Sequence, residues 1–166
     1  WVVDNSASMQ EEQQALAAAA DQFFAALANS RFDFRVGVVT TDGEVLRGGD
    51  FTTDLSVFRE RVQVGINGNG REEGLEYAVR AIERARTATA AEARLRDDAL
   101  PVVIFYSDED STNLRSVEQY TDDLTAAGVL AFAIVGPRPR GCIAVGRGAA
   151  NVGESYLQVV EALGGV

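Results

Sequence analysis

Histidine and lysine are both missing from this 166-residue chain, and cysteine occurs once. Without histidine the chain lacks the commonest general base, the Ser–His–Asp and Cys–His nucleophile arrangements, and the commonest zinc ligand. Without lysine it has no G-x-x-x-x-G-K-[ST] phosphate loop, and only arginine can stand beside a phosphate. The single cysteine, Cys142, permits neither an internal disulfide nor a cysteine metal cluster. No apolar run reaches the roughly 18–20 residues that cross a bilayer, so direct membrane insertion is not expected. All 15 basic residues are arginine, and the formal net charge is −10. An acidic chain without a basic stripe is a poor nucleic-acid binder. Its carboxylates suit cations or basic partner surfaces instead.

What is present is a globular composition, 46% apolar, at a length that fits one domain. The chain opens inside an apolar run, Trp1-Val2-Val3-Asp4, with no leader or linker before it. Residues 1–166 therefore read as a single domain cut from a longer protein. Trp1 is expected inside the first strand, in the middle of the sheet, beside the strand that ends at Asp108.

Strands and helices alternate along the sequence. After the first strand, Ser8 can cap a helix reaching about Asn29, with Leu16, Ala20, Phe23, Phe24 and Leu27 on one face. Asp33 to Thr40 is β-rich, Asp42-Gly43 is a hairpin signal, and Glu44 to Arg47 reads as a short antiparallel strand. Thr53 or Asp54 can cap a short helix bearing Leu55, Phe58 and Val62. A Gly/Asn loop from Gly65 to Gly70 precedes a helix starting near Arg71, with Leu75, Val79 and Ile82 on its inner face. Thr87 to Asp98 is a helical extension or a solvated loop. Leu100 to Tyr106 and Val129 to Val135 are continuously apolar, as central parallel strands are. Between them, Ser116 and Gln119 have capping-box spacing, Val117, Tyr120 and Leu124 line a helix, and Gly128 can end it. Gly136 to Gly153 reads as a long loop, and Tyr156, Val159, Val160 and Leu163 form a last helix face closed by Gly164. This order predicts an α/β fold: an open, mostly parallel, doubly wound sheet with helices on both faces. Sites in such sheets gather outside the carboxyl ends of the strands.

Two apolar strands end in aspartate there, at Asp4 and Asp108. Around the first stands Asp4-Asn5-Ser6-Ala7-Ser8, in which alternate side chains of a turning loop can converge. One carboxylate and two hydroxyls make a hard, all-oxygen donor set that suits Mg²⁺ or Mn²⁺, with Ca²⁺ as a further option. Asp42, Glu72, Glu73, Glu109 and Asp110 fall near the same rim. Two carboxylates about 4 Å apart repel by roughly 1–4 kcal/mol, which a dication offsets. A D-x-S-x-S string alone is weak, because Asp and Ser favour turns and Ser8 can be a plain N-cap. Its position at the end of a buried strand, matched by Asp108, is what gives it weight.

These segments together resemble the von Willebrand factor A-type (vWA) family. Val2 to Met9 resembles the family's first motif, with its D-x-S-x-S metal-ion-dependent adhesion site. Phe34 to Thr40 resembles its second strand, Gly70 to Leu75 the segment of its middle motif, and Ser107 to Asp110 its last motif. The resemblance implies a parallel sheet with one short antiparallel edge strand, wrapped by helices. It carries Asp4, Ser6 and Ser8 onto the first motif and Asp108 onto the last. The family's middle motif has a Thr five residues before a small residue; counting back from Gly74 reaches Asn69, a departure. The Asn69 carbonyl is a competent hard ligand, and Glu72 is the alternative.

The function implied is protein binding without turnover: a cation held by protein oxygens receives a carboxylate from a protein partner. In the family, such ligation can shift the last helix. Two other readings stand beside it: a vWA-like scaffold without metal, and a Mg²⁺-dependent hydrolase with Asp4 or Asp108 as nucleophile or ligand. Arginine in place of lysine and abundant alanine point to a GC-rich bacterium, and the resemblance to the cell envelope or exterior. Cys142 reads as half of a disulfide completed outside the segment, or as a small buried hydrophobe. Nearby Arg138, Arg140 and Arg147 leave it some thiolate reactivity.

Overall fold

The computed structural model describes residues 1–144 and 148–166. Its elements run β1 (Val2–Val3), α1 (Gln10–Ser30), β2 (Val39–Thr40), α2 (Leu55–Arg61), α3 (Gly74–Thr87), β3 (Val102–Tyr106), α4 (Val117–Ala126), β4 (Leu130–Ile134), β5 (Cys142–Ala144), β6 (Gly148–Ala150) and α5 (Glu154–Ala162). Four strands form a sheet in the order β2-β1-β3-β4, and all three pairings are parallel. Val2 pairs with Val39 on one side and Phe105 on the other, so β1 is interior. Trp1 stands at its head as expected: its carbonyl accepts from Val39 N–H at 2.8 Å.

Side chains alternate across the sheet, and each face has its own core. Val2, Val39, Val103, Phe105 and Ala131 face Leu75 and Val79 of α3, Tyr120 and Leu124 of α4, and Tyr156, Val159 and Val160 of α5. Val3, Val36 and Val38 face Leu16, Ala20 and Phe24 of α1 and Phe58 of α2. The expected doubly wound α/β sheet is therefore present, with helices on both faces.

Local chemistry sets the element ends. Asp54 caps α2, accepting from Ser56 N–H and Val57 N–H. Ser116 and Gln119 form the expected capping box of α4, and Gly128, at φ 62°, turns the chain out of it. Gly164, at φ 74°, does the same after α5.

Three expectations are corrected. The helix placed from Arg71 begins at Gly74, because residues 71–73 are held by the loops around them. Glu44 to Arg47 forms no strand: its Arg47 N–H donates to Val38 carbonyl at 2.8 Å, and the antiparallel bridges near β2 join Val36 with Thr52 and Thr40 with Gly43. The loop expected across Gly136 to Gly153 carries an antiparallel hairpin, β5–β6, which periodicity does not reveal in strands of three residues. Of the two alternatives for Thr87 to Asp98 the structure takes the loop: the helix ends at Thr87 and residues 88–98 form turns and bends.

Candidate metal centre at the sheet's carboxyl edge

The strand order reverses direction at β1: the chain passes from β1 to β2 on one side and later returns to β3 on the other. Loops leaving β1 and β3 diverge there, which opens a crevice for a site. Both candidate aspartates sit at this point. Asp4 continues the β1 ladder, donating its N–H to Tyr106 carbonyl at 2.9 Å, and Asp108 follows β3 by two residues. Asp4 is 0% exposed and Asp108 7%.

Donors from both loops hold the Asp4 carboxylate. Its Oδ1 accepts from Ser6 N–H at 2.7 Å, and its Oδ2 accepts from Ser107 Oγ–H at 2.6 Å. Ser107 also accepts from Glu109 N–H at 3.1 Å, which fixes the turn that presents Asp108. Asp108 Oδ1 is buried and has no hydrogen-bond partner. Its carbonyl accepts from Asn151 N–H at 2.7 Å, so the stretch after the β5–β6 hairpin anchors it from behind. Burial pushes the Asp108 carboxyl above the usual carboxylate range; the Ser8 hydroxyl lowers it, and the charges of Asp4, Glu109 and Glu12 raise it further.

Ser8 lies in a single 3-10 turn, residues 7–9, ahead of α1, and Ser6 stands at the cap position of that turn. The cap position of α1 is Met9 and has no side-chain hydrogen bond, so Ser8 is not the plain N-cap that one reading of the sequence allowed. Ser6 Oγ and Ser8 Oγ lie 3.1 Å apart. Neither hydroxyl satisfies the end of α1; they bond to each other, Ser8 also to Asp108, and each oxygen keeps a lone pair beside the two aspartates.

The second loop brings Glu72, not Asn69, into this cluster. Asn69 is exposed, and its Oδ1 accepts from Arg71 N–H at 2.8 Å in a local turn. No hydrogen bond among the described residues joins it to Asp4, Ser6, Ser8 or Asp108. Glu72 is 4% exposed, and its Oε2 accepts from Thr41 Oγ–H at 2.6 Å. Its carboxyl is pushed up to about 7, chiefly by burial; the Thr41 hydroxyl lowers it, while Asp4, by charge and by a shared hydrogen bond, and the Glu109 charge raise it. The Glu72 backbone is pinned too, because its carbonyl accepts from Thr112 N–H at 2.6 Å. Gly74 is the small residue required next: a Cβ there would lie 2.2 Å from the Tyr156 hydroxyl oxygen.

Other rim carboxylates have structural roles. Asp110 accepts from Ser155 N–H at 2.8 Å in the first turn of α5, and Asp42 Oδ1 accepts from Thr40 Oγ–H at 2.6 Å and Asn5 Nδ2–H at 3.0 Å. Glu12 Oε2 is buried without a partner and, with Asp108, lines a cavity of about 180 Å³ under the hairpin. Cys142 is exposed on β5, which removes the small buried hydrophobe reading. Arg138 is committed to Glu154 and Glu161 instead of the thiol; Arg147 lies outside the described residues.

Sequence reasoning missed Ser107, Thr41 and Glu12, whose places depend on tertiary contacts. It also missed Gln13, which carried a signal: a polar residue three before Leu16 on the apolar face of α1. Among the described residues no three Asp, Glu, Cys or His side chains gather in a metal-holding group. The donor set at hand is carboxylate and hydroxyl together.

A family model, the von Willebrand factor type A domain, matches residues 1–111. No curated protein matches the chain. Among solved structures, a crystal structure of an uncharacterized membrane spanning protein from Vibrio fischeri is similar at 16% identity and a TM-score of 0.34, covering 99% of this chain and 86% of that one.

Proposed function

The chain belongs to the von Willebrand factor type A domain family, and from that premise we propose that it is a divalent-cation-dependent protein-binding module and not an enzyme. Domains of this family often mediate protein interactions. The observation that carries the proposal is the buried Asp108 oxygen without a partner, beside Asp4 and the paired hydroxyls of Ser6 and Ser8, neither of which caps α1. In a protein interior such an oxygen is costly unless something satisfies it.

An all-oxygen set with two aspartates fits a hard dication, Mg²⁺ first and Mn²⁺ or Ca²⁺ as alternatives. Asp4, Ser6, Ser8 and Asp108 would hold it, with Glu72 from the second loop as the carboxylate beside Asp4. The cation, when bound, offers a coordination position to a carboxylate of a protein partner. The chain's own residues do the rest. Ser107 and the Ser6 peptide orient Asp4, and Thr41 orients Glu72. No helix among the described residues is long and apolar enough to cross a membrane; composition and family favour the envelope or exterior of a bacterium.

A second reading, a scaffold without metal, is favoured by one observation: both Asp4 oxygens already accept a hydrogen bond. A carboxylate oxygen has two lone pairs, so it can accept a hydrogen bond and still ligate. Calorimetric titration of the EDTA-stripped protein with MgCl₂ and MnCl₂ separates the two. Saturable heat at one equivalent supports the binding module; no heat with either salt supports the scaffold. Turnover of a phosphatase substrate would overturn both in favour of a hydrolase.

A further inference from the structure

We infer that Gln13 is a positioning residue of the cation site, an inference that rests on the proposal above. Gln13 lies in the first turn of α1 and is 3% exposed. Its Nε2 donates to Asp4 carbonyl at 2.9 Å and to Gly65 carbonyl at 2.8 Å, and its Oε1 accepts from Gly65 N–H at 3.1 Å. This pattern fixes the orientation of the amide, because a flipped group would set its oxygen against two carbonyls.

One buried amide thus joins the exit of β1 to the loop before α3, across 52 residues of sequence. That loop, residues 63–73, also meets the first where Gly68 N–H donates to Asn5 carbonyl at 2.9 Å and where Glu72 shares a hydrogen bond with Asp4. Gly65 itself has φ 90°, in the left-handed region that glycine reaches without strain and other residues do not. Gln13 touches no candidate ligand side chain. It acts on Asp4 through its peptide and on Glu72 through the loop that leads to it. Holding both loops before the cation arrives removes an ordering cost from binding. Groups hydrogen-bonded behind metal ligands commonly change affinity by about 10–100-fold.

The alternative is that Gln13 only stabilises the fold. Gln13→Met keeps the length of the side chain and removes all three hydrogen bonds. Mg²⁺ affinity is measured by calorimetry on wild type, Gln13→Met and the remote capping variant Ser116→Ala, at a temperature where all three are folded by circular dichroism. The expected result is about a tenfold weaker Kd for Gln13→Met and an unchanged Kd for Ser116→Ala. Equal Kd for Gln13→Met and wild type, with wild type binding, overturns this inference and leaves the cation site standing. Absence of binding in wild type overturns the site and this inference together. Should Gln13→Met fail to fold, hydrogen exchange on wild type decides: saturating Mg²⁺ is expected to slow exchange of the Gly65 amide at least severalfold, and an unaltered rate overturns the coupling.

Discussion

Glu72→Gln is expected to move the metal-free and metal-loaded protein in opposite directions. In the metal-free protein the Glu72 carboxyl is pushed from its ordinary 4.5 up to about 7, chiefly by burial. The folded chain then keeps a proton that the unfolded chain has released between those values. Stability from that difference is fully present below about pH 4.5 and lost as pH rises through about 7. At ~1.4 kcal/mol per pH unit, the gap is worth about 3 kcal/mol by pH 8. For a domain of this size ~1 kcal/mol moves the melting temperature by ~2–4 °C, so this group lowers it by about 6–12 °C between pH 5 and pH 8. Glutamine keeps the volume and an acceptor for Thr41 but has no charge to desolvate. In EDTA at pH 8, Glu72→Gln should therefore melt above wild type, and the two should converge towards pH 5. With Mg²⁺ the order changes, since the variant has lost a carboxylate beside the cation and gains less from it. Thermal melts followed by circular dichroism from pH 5 to pH 8, with EDTA or saturating Mg²⁺, provide the test. A wild type and variant that differ by a constant amount at every pH, or that shift in the same direction with and without Mg²⁺, would refute the reasoning.

Further outcomes follow from the same geometry. At a hundred times its Kd, Mg²⁺ should stabilise wild type by about 2.7 kcal/mol, and Asp4→Ala or Asp108→Asn should abolish that rise in a melting experiment. Asn69→Ala should leave Mg²⁺ affinity within about twofold of wild type by calorimetry, because its side-chain oxygen serves Arg71 and not the cluster; a tenfold loss would return Asn69 to the ligand set. Mg²⁺ should bind more weakly at pH 6 than at pH 8 and release protons, since the cation must displace the proton held at Glu72; titrations in buffers of different ionisation enthalpy measure that release. Ser116→Ala should cost about 1 kcal/mol through loss of the α4 cap, read as a lower melting temperature with no change in Mg²⁺ response.

The layers of the fold were legible because each element announced its buried face. Leu16, Ala20 and Phe24 on α1, Tyr120 and Leu124 on α4, and Tyr156, Val159 and Val160 on α5 stand at helical spacing and are buried. The two long apolar strands carry the sheet's centre and its β4 edge. The β5–β6 hairpin was not legible, since its strands, Cys142-Ile143-Ala144 and Gly148-Ala149-Ala150, are too short to show alternation and hold one β-branched residue between them. At the site, Asp4 and Asp108 were identifiable as charges ending buried strands. In the second loop, counting from Gly74 led to Asn69 with Glu72 as the alternative, because counting weighs spacing alone. The loop's path is set instead by Gln13 holding Gly65 and by Thr41 holding Glu72, contacts across 52 and 31 residues. Gln13 is the instructive miss: an amide on an apolar helix face must find partners inside, and here those partners are two site loops.

The central claim, that a divalent cation sits among Asp4, Ser6, Ser8 and Asp108, is tested most directly by diffraction from Mn²⁺-soaked crystals at the manganese absorption edge. The account predicts one anomalous peak at the carboxyl ends of β1 and β3, within about 2.0–2.6 Å of oxygens from at least three of those four residues, and its loss in Asp108→Asn. Saturating Mn²⁺ with no anomalous peak at that edge of the sheet would contradict it.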